Sequence, residues 1–139
     1  MTATTNPAAR SAGALFDPST FLESIDQDLA VFGELAALFL TTSVEQTAVL
    51  AAALDAGDLA AARDTAHGLK GSFALFATRP AIDVVARLEA DCRTGATFDR
   101  RQRGAEVTAI VDAVRAALVD YCNAHAIDLS AAPSEQPAP

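Results

Sequence analysis

Leu59-Ala60-Ala61-Ala62-Arg63-Asp64-Thr65-Ala66-His67-Gly68-Leu69-Lys70-Gly71-Ser72-Phe73-Ala74-Leu75-Phe76 reads as one amphipathic helix. Its residues Leu59, Ala62, Ala66, Leu69, Phe73 and Phe76 alternate spacings of three and four, the seam of a helix packed in a bundle. The helix is expected to run from Leu59 to about Thr78, with Arg79-Pro80 ending it. Immediately before it, Ala56-Gly57-Asp58 closes one helix and opens the next. Gly57 supplies the left-handed terminal residue and Asp58 the new N-cap, so the two helices are expected to be antiparallel neighbours. The upstream helix, about Asp28 to Leu54, repeats Leu29, Phe32, Ala36, Phe39, Ser43, Leu50 and Leu54 at near-heptad spacing.

Further out, Asp17-Pro18 reads as an N-cap followed by proline at the first helical position, opening a short helix with Phe21, Leu22 and Ile25 inward. Downstream, a helix to about Arg93 turns Ile82, Val85, Leu88 and Cys92 inward, and Gly95 marks a loop. A last helix, about Asp99 to Ala126, buries Val107, Val111, Val114, Leu118 and Tyr121 or Cys122. The expected fold class is all-α: an antiparallel up-down-up-down four-helix bundle with a short N-terminal capping helix. Residues 1–14 read as a disordered leader, 15–127 as the bundle and 128–139 as a disordered tail.

Composition agrees. A chain of 139 residues has room for one domain with a real core. Alanine supplies roughly a quarter of it, with no tryptophan and one tyrosine, a balance that favours helix. The net charge of −8 argues against nucleic acid as a partner, because phosphate-backbone binding needs clustered Lys and Arg. The most lipid-like run, Leu29 to Leu40, is too short to span a bilayer and is interrupted by Gly33 and Glu34. No membrane association is expected. Cys92 and Cys122 fit no metal-ligand spacing and fall on apolar phases, so they read as reduced core residues of a cytoplasmic protein.

The chemistry gathers around His67, one of two histidines, and Lys70, the only lysine. At about 100° per residue, His67 points roughly 130° away from the core seam and Gly71 almost directly outward. Ala60, Asp64, Gly68, Gly71 and Ala74 share that face, so a partner protein can approach the imidazole unobstructed. Arg63 and Lys70 flank it. Glycine inside a helix costs about 1 kcal/mol relative to alanine, and two within a turn of His67 ask for a reason, which close approach of a partner supplies. A neutral imidazole nitrogen is a competent nucleophile, and an adjacent ammonium neutralises an arriving phosphoryl group. Arg63 adds positive potential there or is merely solvated. Asp64 either fixes the imidazole tautomer or pairs with Arg63 or another charge in water. His125 reads as a surface residue near a helix C-terminus.

These residues resemble the histidine-containing phosphotransfer (HPt) domains of two-component phosphorelays. Ala66-His67-Gly68-Leu69-Lys70-Gly71-Ser72 is similar to the family's His-x-Leu-Lys-Gly-Ser signature, and Phe16-Asp17, Ala56-Gly57-Asp58 and Leu88-Glu89 match flanking positions. The resemblance spans about Phe16 to Ala126. It implies that His67 accepts a phosphoryl group from a receiver-domain aspartyl phosphate and passes it to another receiver aspartate. Lys70 would stabilise the group and Gly71 clear space for it. Response-regulator receiver domains and a hybrid histidine kinase are the implied partners, docking on the short first helix and the outer faces of the next two. The implied Mg²⁺ belongs to the receiver, leaving this chain a monomeric phosphocarrier with no metal or cofactor of its own and no enzymatic turnover.

Phe73, Leu75 and Ala77 depart from the small, polar and glycine residues the family commonly has there. Phe73 refills packing on the seam, and Ala77 shifts local geometry. Leu75 turns roughly 150° from the core, so it is covered by the first helix or is an apolar docking contact. Other functions fit less well. A di-metal bundle needs inward Glu and Glu-x-x-His pairs, which this sequence lacks. A histidine-kinase dimerisation helix typically has an acidic residue directly after its histidine, where this chain has Gly68. The alternative is an HPt-fold module that docks receivers or other signalling proteins without relaying phosphate.

Overall fold

The computed structural model describes residues 15–129; the expected leader and residues 130–139 of the expected tail lie outside the described residues. Among the described residues five helices follow one another: α1 (Ser19–Ser24), α2 (Leu29–Ala56), α3 (Leu59–Phe76), α4 (Arg79–Thr94) and α5 (Arg100–Ala124). Among the described residues the only extended pairing is an isolated bridge between Phe16 and Ala77. The described residues form an all-helical fold. α3 packs against α2 and, most extensively, α4, while α5 closes against α2 and α4.

The helix boundaries follow from their caps. Asp28 accepts from the N–H groups of Ala30 and Val31, satisfying donors that the first turn of α2 leaves free. α2 continues two residues beyond the expected Leu54, because it ends only where Gly57 adopts φ 75°. Asp58 then accepts from the Ala61 N–H and starts α3. At the far end, Asp99 caps α5 through the Gln102 N–H.

Two expected boundaries are corrected. Asp17-Pro18 does not supply N-cap and first helical residue: Pro18 itself occupies the cap position, and α1 starts at Ser19. The Asp17 carboxylate still accepts from the Ser19 N–H and hydroxyl. Arg79-Pro80 does not end α3. That helix stops at Phe76, Ala77 is extended, and Arg79 and Pro80 form the first turn of α4, where proline's missing N–H costs nothing. The break is held by the chain before α1, whose Asp17 N–H donates to the Phe76 carbonyl while Thr78 N–H donates to Leu15. Consequently Ala81 rather than Ile82 is the first fully buried residue of α4.

The packed body also extends past residue 127. Ile127 is buried, and Leu129, which the sequence reading placed in the tail, packs against the core. This segment crosses the start of α2 at Gly33, where an added Cβ would lie 3.0 Å from Ile127 and 3.1 Å from the Asp128 carbonyl. Gly33 therefore does not interrupt an apolar run; it admits a crossing chain. α2 as a whole is long and apolar enough to cross a membrane by length and composition alone, although the run Leu29 to Leu40 within it is short. In this fold its apolar residues Phe32, Ala36, Phe39, Leu50, Ala53 and Leu54 form the core.

An aromatic cluster anchors one end. The Phe76 ring stands edge-on to Phe32 at 5.5 Å and to Phe21 at 5.8 Å, with Phe39 at 5.5 Å. Phe76 thereby joins α3 to α1 and α2 at one point. At the other end, the Arg100 Nε–H donates to the last-turn carbonyl of Leu54 at 2.7 Å, and Arg103, over the Phe98 ring, pairs with Asp91. Cys92 and Cys122 are free and buried, with burial raising both thiols above their ordinary range.

Removing the ring of Phe76 is expected to cost about 3–5 kcal/mol in the Phe76→Ala protein, through a cavity shared by three helices. Gly57→Ala forces a Cβ into a left-handed conformation and is expected to cost only about 1 kcal/mol. Urea denaturation of the two variants checks both magnitudes and their order.

Candidate functional site

The rotation of α3 decides what its residues can do. Ala62, Ala66, Leu69 and Phe73 are completely buried, which turns His67 to the opposite side with its side chain 71% exposed. Gly71 lies outward one turn later, and nothing stands within 4 Å of where its Cβ would be. Ala60, Asp64 and Ala74 are likewise exposed. Gly68 differs: it is half-buried, and a Cβ there would meet the Gln46 side chain at 3.2 Å, so this glycine serves the close packing of α2 on α3.

The sequence reading missed one member of the site. Glu89 of α4 accepts from Nδ1 of His67 at 2.8 Å through one carboxylate oxygen, and from Nζ of Lys70 at 2.6 Å through the other. Its side chain is only 12% exposed. A carboxylate can only accept here, so Nδ1 carries the proton and the Nε2 lone pair points away from α4. Lys70 is consequently not a free ammonium; it shares Glu89 with the imidazole. The Lys70 contact, then the His67 hydrogen bond, hold the Glu89 carboxyl below its ordinary value of 4.5 against the opposing effect of burial.

The position of Glu89 follows from topology. The α3–α4 turn at Ala77-Thr78 folds the two helices back on each other, and His67 and Glu89 lie nearly equal distances on either side of it. The signal was present in the sequence. Leu88 is buried, so its neighbour Glu89 stands at the edge of the α4 seam, and the chain's sole lysine needs an anion.

The remaining expected residues separate into two groups. Asp64 does not touch the imidazole. It pairs with Arg63 at 3.3 Å in an exposed contact, so the tautomer is fixed from α4 and not from within α3. Leu75 is half-buried and packs against the core, which favours cover over free exposure. His125 is exposed and its ring lies 4.2 Å from that of Tyr121. Among the described residues no three His, Cys, Asp or Glu side chains gather as they would to hold a metal.

A nucleophilic Nε2 with an oriented ring, a cation beside it and open space one turn away is an arrangement for receiving and releasing a phosphoryl group. A family model, the Hpt domain, matches residues 34–117, a span that contains His67, Lys70 and Glu89. The chain belongs to the Hpt domain family. Hpt domains are phosphocarrier modules of two-component signalling, so this domain's function is phosphotransfer-related. No curated protein and no solved structure gives a significant match.

Because the Glu89 carboxyl is held below 4.5, the bridge contributes fully above that pH and is lost as pH falls through the lowered value. Carboxyl-detected NMR is expected to place the Glu89 midpoint below 4.5, and in Lys70→Gln, which removes the largest cause, closer to it.

Proposed function

We propose that this Hpt domain is a histidine phosphocarrier in a phosphorelay, taking a phosphoryl group onto Nε2 of His67 from a receiver aspartyl phosphate and delivering it to another receiver aspartate. The observation that carries this reading is the hydrogen bond from His67 Nδ1–H to Glu89, which directs the Nε2 lone pair outward from an exposed ring. In the receiving step Nε2 forms a bond to phosphorus as the P–O bond to the aspartate breaks. The electron pair of the broken bond stays on the departing carboxylate.

Lys70 then has a second anion within its reach besides Glu89, and Gly71 leaves room for the partner's walls. Mg²⁺ would come with the receiver. A hybrid histidine kinase is the implied upstream source. The four long helices would run up-down-up-down as a monomer, presenting α1 and the outer faces of α2 and α3 for docking, with exposed Leu38 and Val49 on α2 as apolar contacts. The buried free thiols support work in a reducing, cytoplasmic compartment. Carriage of the group is stoichiometric and needs no catalytic turnover by this chain.

Phosphorylated receiver domains incubated with the protein are expected to label the wild type with acid-labile, base-stable phosphate and to leave His67→Gln unlabelled. Binding of receivers without any label would instead identify a docking module that does not relay. Lys70→Ala is expected to slow transfer about ten- to a hundredfold, the loss of one charge contact to the phosphoryl group.

Gly71→Ala separates access from folding. The added methyl meets nothing in the domain itself, so stability should rise by up to about 1 kcal/mol, while transfer from a receiver slows because the partner meets the methyl. Thermal melts and stopped transfer reactions on the same sample read the two effects.

A further inference from the structure

α5 carries a second seam that the domain's own core does not use. Its buried residues Val107, Val111, Val114, Leu118 and Cys122 face the other helices. Arg101, Ala105, Thr108 and Asp112 recur at spacings of four, three and four, roughly 110° around the helix from that core stripe. Such spacing is how a helix presents one face to another helix. Gly104 and Ala109 border the seam on either side.

With α2 this seam forms a groove of about 640 Å³, lined on the α2 side by Ala51, Leu54 and Asp55. Gly104 brings the two helices together, because a Cβ there would lie 3.1 Å from the Leu54 side chain. The walls are tied at two levels: Arg100 donates to the Leu54 carbonyl and Arg115 to the Leu40 carbonyl. Val44, two turns before Ala51 on the same flank of α2, is 51% exposed. The charges at the two ends have opposite signs. Arg100, Arg101 and Asp55 stand at one end and Asp112 at the other, about 16 Å along α5. Among the described residues neither Arg101 nor Asp112 has an ion-pair partner.

This order of residues is its own complement. A second α5 laid antiparallel, about a two-fold axis passing between Glu106 and Val107, brings Arg101 of each copy to Asp112 of the other. Ala105 then meets Thr108, and Gly104 meets Ala109, so the middle of the contact is made of small side chains and the helices can approach closely. We propose that this face pairs two copies of the chain through antiparallel α5 helices, with Arg101 of each on Asp112 of the other. Within the phosphocarrier reading the single chain remains the relaying unit, and pairing belongs to a separate face. α3 lies across the bundle from α5, since its packed long neighbours are α2 and α4, so both His67 rings point away from the contact and the pair holds two open sites. The net charge of −8 on each chain repels at long range, which keeps the association reversible and dependent on concentration.

Sedimentation equilibrium of the full chain at physiological salt, from micromolar to millimolar concentration, is the test. The mass is expected to rise from one chain towards two. Arg101→Asp and Asp112→Arg change exposed residues, so both variants should keep the wild-type circular dichroism, while each reversal makes both symmetric contacts repulsive and weakens pairing about tenfold. An equimolar mixture of the two variants is expected to pair again, because each supplies the charge the other lacks. A wild-type mass that stays at one chain throughout overturns the proposal, as does pairing that neither reversal weakens. Weakened variants that do not pair when mixed rule out the antiparallel contact. A chain that stays single yet binds a receiver domain through Arg101 and Asp112 gives the groove to another occupant and also ends the proposal. Absence of phosphate label on His67 in a chain that still pairs defeats the phosphocarrier reading alone.

Discussion

The buried seam of α3 sets everything else in the domain. Ala62, Ala66, Leu69, Phe73 and Phe76 are all fully removed from solvent, and each rotation of the helix that would expose His67 less would bring one of them out. Burying a large apolar side chain stabilises by roughly 1.5–3 kcal/mol, so the helix cannot turn about its axis without losing several such contributions together. Phe76 adds an axial lock, because its ring is wedged among Phe21, Phe32 and Phe39 from two other elements. Exposure of the imidazole is a by-product of core packing on the far side of the same helix.

Glu89 shows how the neighbouring helix uses that fixed rotation. A carboxylate with only 12% of its side chain exposed is costly to hold charged unless it is paired and hydrogen-bonded. Here both oxygens are engaged, one by a cation and one by a ring N–H. The same two contacts that make its ionisation tolerable also define the ring's tautomer and occupy the lysine. Stability and reactivity are therefore coupled at this residue. α4 holds Glu89 in reach because Ala81, Val85, Leu88 and Cys92 form its own buried seam.

Much of this was legible in the chain itself. Gly57-Asp58 marked a helix end and a helix start by chemistry that acts within three residues, and the structure uses them as read. The phase of α3, and with it the exposure of His67 and Gly71, followed from the spacing of its apolar residues. What escaped depended on distant parts of the chain. The end of α3 is decided by Leu15 and Asp17 binding its last carbonyl and the following N–H, so Arg79-Pro80 was free to start a helix. Gly68 and Gly33 look like breaks or access points in sequence, yet each admits a neighbour, Gln46 in one case and the segment after α5 in the other. Glu89 was visible as a residue, but its partnership across twenty-two positions required knowing where the α3–α4 turn was centred.

The imidazole projects from a helix surface bordered by the open flank of Gly71 and by Ala74, and this convexity has a consequence for selectivity. A protruding group fits any counterpart that offers a suitable hollow, so the reactive centre itself discriminates little between proteins. On the proposed phosphocarrier reading, choice among counterparts falls to the helix faces around it, where exposed residues such as Leu38 and Val49 can vary without disturbing either the buried seam or the ring. Chemistry and partner choice are thereby held by separate sets of side chains, and one can change through mutation while the other is left intact.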